Sequence, residues 1–342
     1  MRDRSVRIWL WVGVAMVFVQ VILGGVTRLT GSGLSITKWD IVTGTVPPLN
    51  AAEWEHEFAL YQETPQYEHI NTGMTMSQFR FIYFWEYFHR LWARSIGFVF
   101  LIPFLFFLWR RKISRALLGQ LGVAVLLGAV VAAFGWIMVA SGLVKRPWVN
   151  AYKLTIHLNL AIVLFVWLLW VAIGAGVQKF SQRGLKNILN WLTVLLAVQF
   201  ILGGLMSGLK AAVYYPTWPD MYGELFPKVL INKDLWTFHF LFEAYEQGPM
   251  PGVVQFLHRI TAYLIGLCTI VLFYKSNKYV VFSQIRQPMM WLLVMVGAQI
   301  TLGILTVIHS VGSIPLVYGV MHQGFALIVL SLLVLLQRKI TR

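Results

Sequence analysis

The sequence predicts an all-α integral membrane protein with eight transmembrane helices, arranged as two tandem, pseudo-symmetric four-helix bundles. Composition is one reason. Of the 342 residues, 58% are hydrophobic and only 12% are charged, which is more apolar surface than a single soluble core can bury. The other reasons are eight separate apolar segments and a set of short motifs that occurs once in each half of the chain.

Each apolar segment has the length, about 20 residues, that a helix needs to cross the hydrocarbon core of a bilayer. Spans are predicted near 8–28, 82–109, 117–140, 154–173, 188–208, 253–274, 289–309 and 317–336.

Basic residues predict the orientation of these spans. Lysine and arginine clusters occupy alternate connections, and such clusters stay on the cytoplasmic side, so both termini are expected in the cytoplasm. The clusters are Arg2/Arg4/Arg7, Arg110/Arg111/Lys112 with Arg115, Lys179/Arg183/Lys186, Lys275/Lys278/Arg286 and Arg338/Lys339/Arg342. Lys145, Arg146 and Lys153 lie on the opposite side and are outnumbered. Because the net charge of +15 resides largely in these short clusters, the sequence argues against nucleic-acid binding.

Two connections on the outer side, 29–81 and 209–252, are far longer than a link between neighbouring helices requires. Their aromatic content favours ordered caps on the membrane surface, with an interfacial aromatic belt as the alternative. The aromatic residues include Trp39, Trp54, Tyr61, Tyr214, Tyr215, Trp218 and Trp236.

Three motifs recur in the same order in the two halves. The pairs are Gln20–Gly25 with Gln199–Gly204, Phe88–Arg90 with Leu257–Arg259, and Ile156–His157 with Met321–His322. Because four predicted helices separate the copies, both units have the same orientation in the membrane. We expect an N-terminal unit at 1–175, a basic linker at 176–185 and a C-terminal unit at 186–342.

Each unit has one histidine near the outer end of its second helix and one near the outer end of its fourth. The pairs are His89 with His157 and His258 with His322. A lone histidine in a membrane helix is more often a hydrogen-bonded core residue. Four histidines at symmetry-related positions instead favour bis-histidine ligation of haem iron within each bundle. The sequence therefore predicts two haem sites towards the outer face of the membrane.

Arg90 and Arg259 each follow one of these histidines directly. A guanidinium there could bind a haem propionate through charge-assisted hydrogen bonds, or extend to the interface to keep its charge in water. The sequence alone leaves both interpretations open.

The units differ at one position of this motif: Glu86 lies three residues before His89, and Gln255 occupies the equivalent place. A carboxylate near bound substrate can move protons or stabilise positive charge, whereas an amide cannot titrate. We therefore assign the chemistry to the N-terminal unit and a structural or electron-transferring haem to the C-terminal unit. A salt bridge from Glu86 to Arg90 or Arg94 is the structural alternative.

Other residues of metal-binding type are interpreted as structural. Cys268 is the only cysteine, which excludes an intramolecular disulfide, a Cys-based zinc site and an iron–sulfur cluster. The remaining histidines are expected to be solvated, and they are His56, His69, His239 and His309.

Five stretches, distributed over nearly the whole chain, form a specific combination. They are Gly24–Ser35, Val42–Pro48, Glu86–Arg90, Gly135–Leu143 and Thr217–Met221. This combination closely resembles the haem A synthase family, the membrane enzymes that convert haem O to haem A for terminal oxidases. The lack of cysteine pairs in the outer loops is similar to the cysteine-free branch found in mitochondria and proteobacteria.

The resemblance implies that His258 and His322 hold haem b, and that haem O binds at His89 and His157, with Glu86 important for catalysis. It implies oxidation of the C8 methyl of haem O to a formyl group through successive hydroxylations, with loss of water from a gem-diol. The expected partners are haem O handed over by a haem O synthase, an electron donor and the lipid bilayer; a homo-oligomer is left open. The expected location is the bacterial inner (plasma) membrane or the mitochondrial inner membrane, with the haem sites on the periplasmic side.

Two other functions stand as alternatives. A quinone-linked di-haem b electron-transfer cytochrome would use both histidine pairs. However, it predicts equivalent halves and does not explain why the repeat has Glu86 in one half and Gln255 at the equivalent position of the other. A transporter built on a parallel repeat would use the outer caps as gates, and it has no need of the histidine pairs.

Overall fold

The computed structural model of the protein describes residues 3–38, 46–143, 147–174, 176–279 and 282–341. Within these ranges, eight helices are long and apolar enough to cross a membrane, which confirms the predicted all-α integral membrane fold. They are α1 (Arg4–Leu29), α4 (Met76–Trp109), α5 (Arg115–Ala140), α6 (Ala151–Ile173), α7 (Arg183–Gly208), α9 (Met250–Ser276), α10 (Phe282–Ile308) and α11 (Leu316–Lys339). Trp39, Lys145, Arg146 and residues 42–45 of the sequence motifs lie outside the described residues.

Shorter elements occupy the two long connections and the chain segments beside the spans. They are α2 (Ala51–Gln62), α3 (Pro65–His69), α8 (Ala211–Tyr214), two 3₁₀ turns (Lys228–Leu230 and Lys233–Leu235), a π-helical turn (His239–Glu243), and the strands β1 (Phe180–Ser181) and β2 (Ile340–Thr341).

Every spanning helix begins before its predicted apolar segment. Helix α4, which carries Glu86 and His89, was predicted from residue 82 and is observed from Met76. The hydroxyl of Thr75 accepts from the backbone N–H of Gln78, and the Gln78 side chain accepts in return from the backbone of Thr75. This capping box satisfies N–H groups at the helix start. Polar residues of the first turns therefore belong to the helix even though they lower its hydropathy.

The chain divides into two compact units, Met1–Leu168 and Leu169–Arg342. The predicted functional division into 1–175, 176–185 and 186–342 stays a prediction. Within the predicted linker, β1 pairs in parallel with β2 at the other end of the second unit, Phe180 opposite Ile340.

Aromatic side chains join the helices of the N-terminal unit. The rings of Trp9 on α1 and Phe100 on α4 lie 4.9 Å apart, and those of Phe18 on α1 and Phe165 on α6 lie 6.1 Å apart. The indole of Trp167 on α6 donates to a carbonyl of α5 at 2.8 Å. The four spans of this unit are thus linked as α4–α1–α6–α5.

The C-terminal unit repeats this order of neighbours with α7, α9, α10 and α11. Helix α7 packs against α9 and α11, and α10 packs against the same two helices. The half of this bundle away from the histidines is filled by apolar side chains. They include Leu185, Leu189, Leu192, Leu196, Leu272, Met289, Leu292 and Leu333. The polar residues of the site therefore lie at one end of a bundle whose other end is a conventional apolar core.

The described part of the first long connection is ordered, as expected for a cap. Tyr61 on α2 is fully buried with Phe79, Ile82 and Tyr83 from the first turns of α4. The Tyr61 hydroxyl donates to Gln66 at 3.1 Å, which satisfies its polar end. Aromatic burial thereby attaches the α2–α3 segment to α4 just ahead of the predicted site.

Candidate functional site

His258 on α9 and His322 on α11 lie close together inside the C-terminal bundle. Their ring centroids are 6.3 Å apart and the ring planes form an angle of 63°. When two imidazoles bind one metal ion from opposite sides, each metal–nitrogen bond is about 2 Å long, and each nitrogen lies roughly 1.1 Å from the centre of its ring. The two ring centroids are then about 6.2 Å apart. The spacing therefore suits one metal ion between the two rings.

A backbone carbonyl orients one histidine of each pair. Nδ1 of His322 lies 3.1 Å from the carbonyl oxygen of Gln299 on α10, and Nδ1 of His157 lies 3.1 Å from that of Val131 on α5. A carbonyl oxygen only accepts hydrogen bonds, so Nδ1 carries the proton in both rings. Nε2 is then the nitrogen with the lone pair, as metal ligation requires, and in His322 the side-chain amide nitrogen of Gln299 lies 3.4 Å from it.

A glutamine side chain contacts the other histidine of each pair. Nε2 of Gln199 on α7 lies 3.1 Å from Nε2 of His258. Nε2 of Gln20 on α1 lies 3.2 Å from both ring nitrogens of His89. These glutamines begin the repeated motif, but the sequence assigned them no role.

Each of the four imidazoles also lies against a glycine of the neighbouring helix. A Cβ added to Gly24 would be 3.3 Å from His89, and one added to Gly203 would be 3.6 Å from His258. The corresponding distances are 3.0 Å from Gly135 to His157 and 2.9 Å from Gly303 to His322. The glycine lies one turn after the hydrogen-bonding residue in every case, so the two contacts form one repeated device on the adjacent helix.

The four histidines are half-buried, so part of each ring remains accessible. The structure brings His258 and His322 together. His89 and His157 lie in one unit, against Gly24 and Gly135, and their pairing stays a prediction.

Glu86 ties the loop after α1 to α4. The carboxylate is 2% exposed, and its Oε2 accepts from the backbone N–H of Ser35 at 2.7 Å and of Ile36 at 2.9 Å. The Ser35 hydroxyl donates to the same oxygen at 2.7 Å. Oε1 accepts from Arg90 at 2.5 Å, so the salt bridge considered as the structural alternative is present. Arg90 also donates to the carbonyl oxygens of Ile36 and Lys38, at 3.2 and 3.1 Å.

Gln255 and Arg259 fasten a loop in the C-terminal unit in the same way. Gln255 Nε2 donates to the carbonyl of Tyr215 at 2.9 Å, and Arg259 donates to the carbonyls of Thr217 and Asp220, each at 2.7 Å. The loop of the first unit presents N–H groups to Glu86, whereas this loop presents a carbonyl to Gln255. The Glu/Gln difference therefore has a structural reason in addition to the predicted catalytic one, and the catalytic assignment stays a prediction.

The residues interpreted as structural are placed accordingly. His56, His69, His239 and His309 are exposed, and His239 pairs with Glu243 at 3.0 Å. Cys268 is half-buried, with its sulfur 3.9 Å from the carbonyl oxygen of Ile188. Over the described ranges, no group of three or more His, Cys, Asp or Glu side chains is arranged to hold a metal ion.

Comparison with known proteins agrees with this arrangement. Residues 7–334 match the family model described as cytochrome oxidase assembly protein. A protein named haem A synthase from Flavobacterium psychrophilum is 39% identical over 335 residues, 96% of each chain. Proteins of the same name from Nitrosospira multiformis and Mesorhizobium japonicum are 40% and 41% identical, over 96% and 97% of this chain and 91% and 89% of theirs. The chain belongs to the haem A synthase family. The resemblance seen in the sequence motifs is thereby confirmed over nearly the full length.

The histidine pairs fit the haem groups that the resemblance to haem A synthases implies. Nδ1 of His258 is buried without a hydrogen-bond partner, a cost that ligation of a metal would remove. The neighbouring glycines leave the imidazoles room to lie flat against a helix backbone. The 6.3 Å separation of His258 and His322 suits an iron between them.

We predict that Gly303→Ala lowers the haem content of the C-terminal unit. The added Cβ would lie 2.9 Å from the His322 ring and would displace it from the carbonyl of Gln299. Gly203→Ala is the matched control, because its Cβ would lie 3.6 Å from His258, an ordinary contact. Haem b per chain, extracted from the purified variants and separated from haem O by liquid chromatography, should fall severalfold for Gly303→Ala only. Equal haem content in the two variants would contradict the proposed packing.

Proposed function

We propose that this protein is a haem A synthase, a membrane oxidoreductase that converts haem O to haem A for the assembly of haem-copper terminal oxidases. The C8 methyl of haem O is hydroxylated twice, each time in a two-electron oxidation for which the oxidant and the oxygen atom come from outside the chain, and the resulting gem-diol loses water to give the formyl group. The observation that carries this proposal is the similarity to proteins named haem A synthase over 96% or more of the chain. A di-haem electron-transfer cytochrome is not favoured by these relatives.

The two units have different tasks in this proposal. His258 and His322 hold a resident haem b, which supplies one-electron transfer when bound. His89 and His157 bind the substrate haem O. Two observations support the assignment of ligands. Nδ1–H of His157 and of His322 donates to a backbone carbonyl, which leaves the lone pair on Nε2, and all four histidines are only half-buried.

Arg90 and Arg259 are assigned to the propionate end of each haem. Each guanidinium follows a histidine and is anchored by loop carbonyl oxygens, which keeps it at the outer end of the bundle. A guanidinium has five N–H donors, so an arginine that fastens a loop can also bind a carboxylate.

Glu86 has two tasks in the N-terminal unit. Its carboxylate holds the loop 32–38 through Ser35 and Ile36, and it places negative charge one helical turn from His89. Such a charge can stabilise positive charge that develops on the substrate or hold a proton during oxidation.

The function is tested by identifying the pigments of the purified protein. Expressed in cells that make haem O, the protein should contain haem b together with haem O, hydroxylated haem O or haem A, identified by mass after extraction. His258→Ala should lose haem b. A protein that carries only haem b, at two per chain, would be a cytochrome instead.

Glu86→Gln should lower the yield of haem A by about 10²-fold or more while haem binding is retained, since positioned acid–base groups contribute factors of this size. Ser35→Ala is the matched control. It removes one hydrogen bond from the same carboxylate but leaves the charge in place, so most activity should remain. Haem A formed per cell, measured by liquid chromatography, distinguishes the two variants. An equal loss in both would show that attachment of the loop, and not the carboxylate, matters.

The orientation of the chain is proposed from the basic clusters: both termini are cytoplasmic, and the histidine ends of the bundles are periplasmic. In a Cys268→Ser background, Glu63→Cys should react with a membrane-impermeant maleimide in intact spheroplasts. Asn277→Cys should react only after the membrane is opened. Both positions are exposed, so accessibility within the protein does not limit labelling. The reverse pattern would invert the proposed topology.

A further inference from the structure

Glutamine side chains of neighbouring helices reach three of the four histidines, and the side-chain oxygen of each of these glutamines is buried without a partner. The contact of Gln299 with His322 is the longest, at 3.4 Å, and Nδ1 of that ring already has a carbonyl partner. Nε2 of Gln199 lies 3.1 Å from Nε2 of His258, and Oε1 of Gln199 is buried without a hydrogen bond. Gln20 is placed alike: its Nε2 lies 3.2 Å from both ring nitrogens of His89, and its Oε1 is also buried and unpartnered. Nδ1 of His258 is likewise buried without a partner.

The unpartnered atoms around His89 and His258 have one common explanation if these two imidazoles bind iron. A neutral imidazole has one N–H and one lone pair, so a ring that gives its lone pair to a metal must donate its N–H to an acceptor. Half a turn of the glutamine amide exchanges its oxygen and nitrogen, which places Oε1 where Nε2 contacts the ring. The glutamine oxygen then accepts the ring N–H, and the other ring nitrogen is free to bind the metal.

We propose that Gln199 is a positioning residue: its side-chain oxygen accepts the N–H of Nε2 of His258 and leaves Nδ1 for haem iron. Gln20 has the same task at His89, where its amide lies equally close to both ring nitrogens. The proposal rests on the proposed function, because it requires haem at both histidine pairs. It extends that function by assigning the orientation of His89 and His258 to two residues outside the ligand set.

The second histidine of each pair shows the same requirement met by the backbone. His157 and His322 donate Nδ1–H to the carbonyl oxygens of Val131 and Gln299. Each site therefore has one ligand held by a fixed backbone oxygen and one held by a side chain that can rotate. A backbone carbonyl cannot be removed by substitution, but a glutamine side chain can. Substitution of Gln199 therefore tests the proposal.

A ring N–H that is donated to an acceptor makes the imidazole a stronger electron donor and fixes its plane. Stronger donation stabilises the oxidised iron. Loss of the acceptor should therefore raise the reduction potential of the haem and weaken its attachment. A purely structural role for Gln199 would change the stability of the bundle without moving the potential in a defined direction.

The experiment compares three variants of the full-length, haem-loaded protein. Gln199→Leu should raise the reduction potential of haem b and speed transfer of this haem to excess apomyoglobin by about 10–100-fold, the usual cost of losing such a partner. Gln199→Glu keeps an acceptor oxygen whether or not it is ionised, so its potential should equal or lie below that of the unmodified protein. Thr193→Val on the same helix is the matched control, because its hydroxyl bonds to Leu189 and Gln337 and not to a histidine.

Potentials are read by spectroelectrochemical titration of the haem b absorbance. An unchanged potential in Gln199→Leu, or an equal shift in Thr193→Val, overturns the proposal. An unmodified protein that binds no haem b, or that keeps its haem b in His258→Ala, overturns the proposed function itself and can be recognised before any glutamine variant is made.

Discussion

The structure depends on one requirement: each imidazole placed inside a membrane bundle needs a hydrogen-bond partner on the next helix. A buried polar group without a partner is costly, and the membrane supplies no water in its place. His157 and His322 meet this requirement with a carbonyl of the neighbouring helix, and His89 and His258 contact a glutamine of theirs. Close approach is needed for these bonds, which explains why a glycine lies beside each ring.

The same requirement explains how loops are attached to the histidine ends of the bundles. In each unit a polar residue three positions before a histidine and an arginine directly after it fasten a loop to the helix. Glu86 accepts from two backbone N–H groups of its loop, and Gln255 donates to a carbonyl of its own. The two halves thus share one architecture, but the helix side chain accepts hydrogen bonds from the loop in the first unit and donates one to the loop in the second. This difference places a carboxylate in one site and a neutral amide in the other.

That difference connects the fold to the proposed chemistry. A bundle that only holds a haem has no need of a charge beside its ligand, and the C-terminal unit has an amide there. The N-terminal unit keeps a buried carboxylate, paired with Arg90 and with backbone N–H donors. In the proposed function, this difference distinguishes the unit that holds haem b from the unit that oxidises haem O.

Much of this could be predicted from the sequence because the signals are local. The length of the apolar segments predicts eight spans, and the recurrence of His89-Arg90 as His258-Arg259 predicts paired sites, since both depend only on residues close together in the chain. The helix starts were less predictable: α4 begins at Met76 because a capping box extends it beyond the apolar segment.

What the tertiary structure alone decided is the identity of the partners. Glu86 and Ser35 are far apart in the sequence, as are Gln199 and His258, and no local pattern indicates that they meet. The motifs drew attention to the histidines and to Glu86, but they could not show which groups satisfy them. Partner choice depends on how the helices pack, and packing in turn depends on glycines such as Gly303 whose role is to leave room. The sequence by itself determined the spans and the paired histidines; helix packing determined what holds each histidine in place.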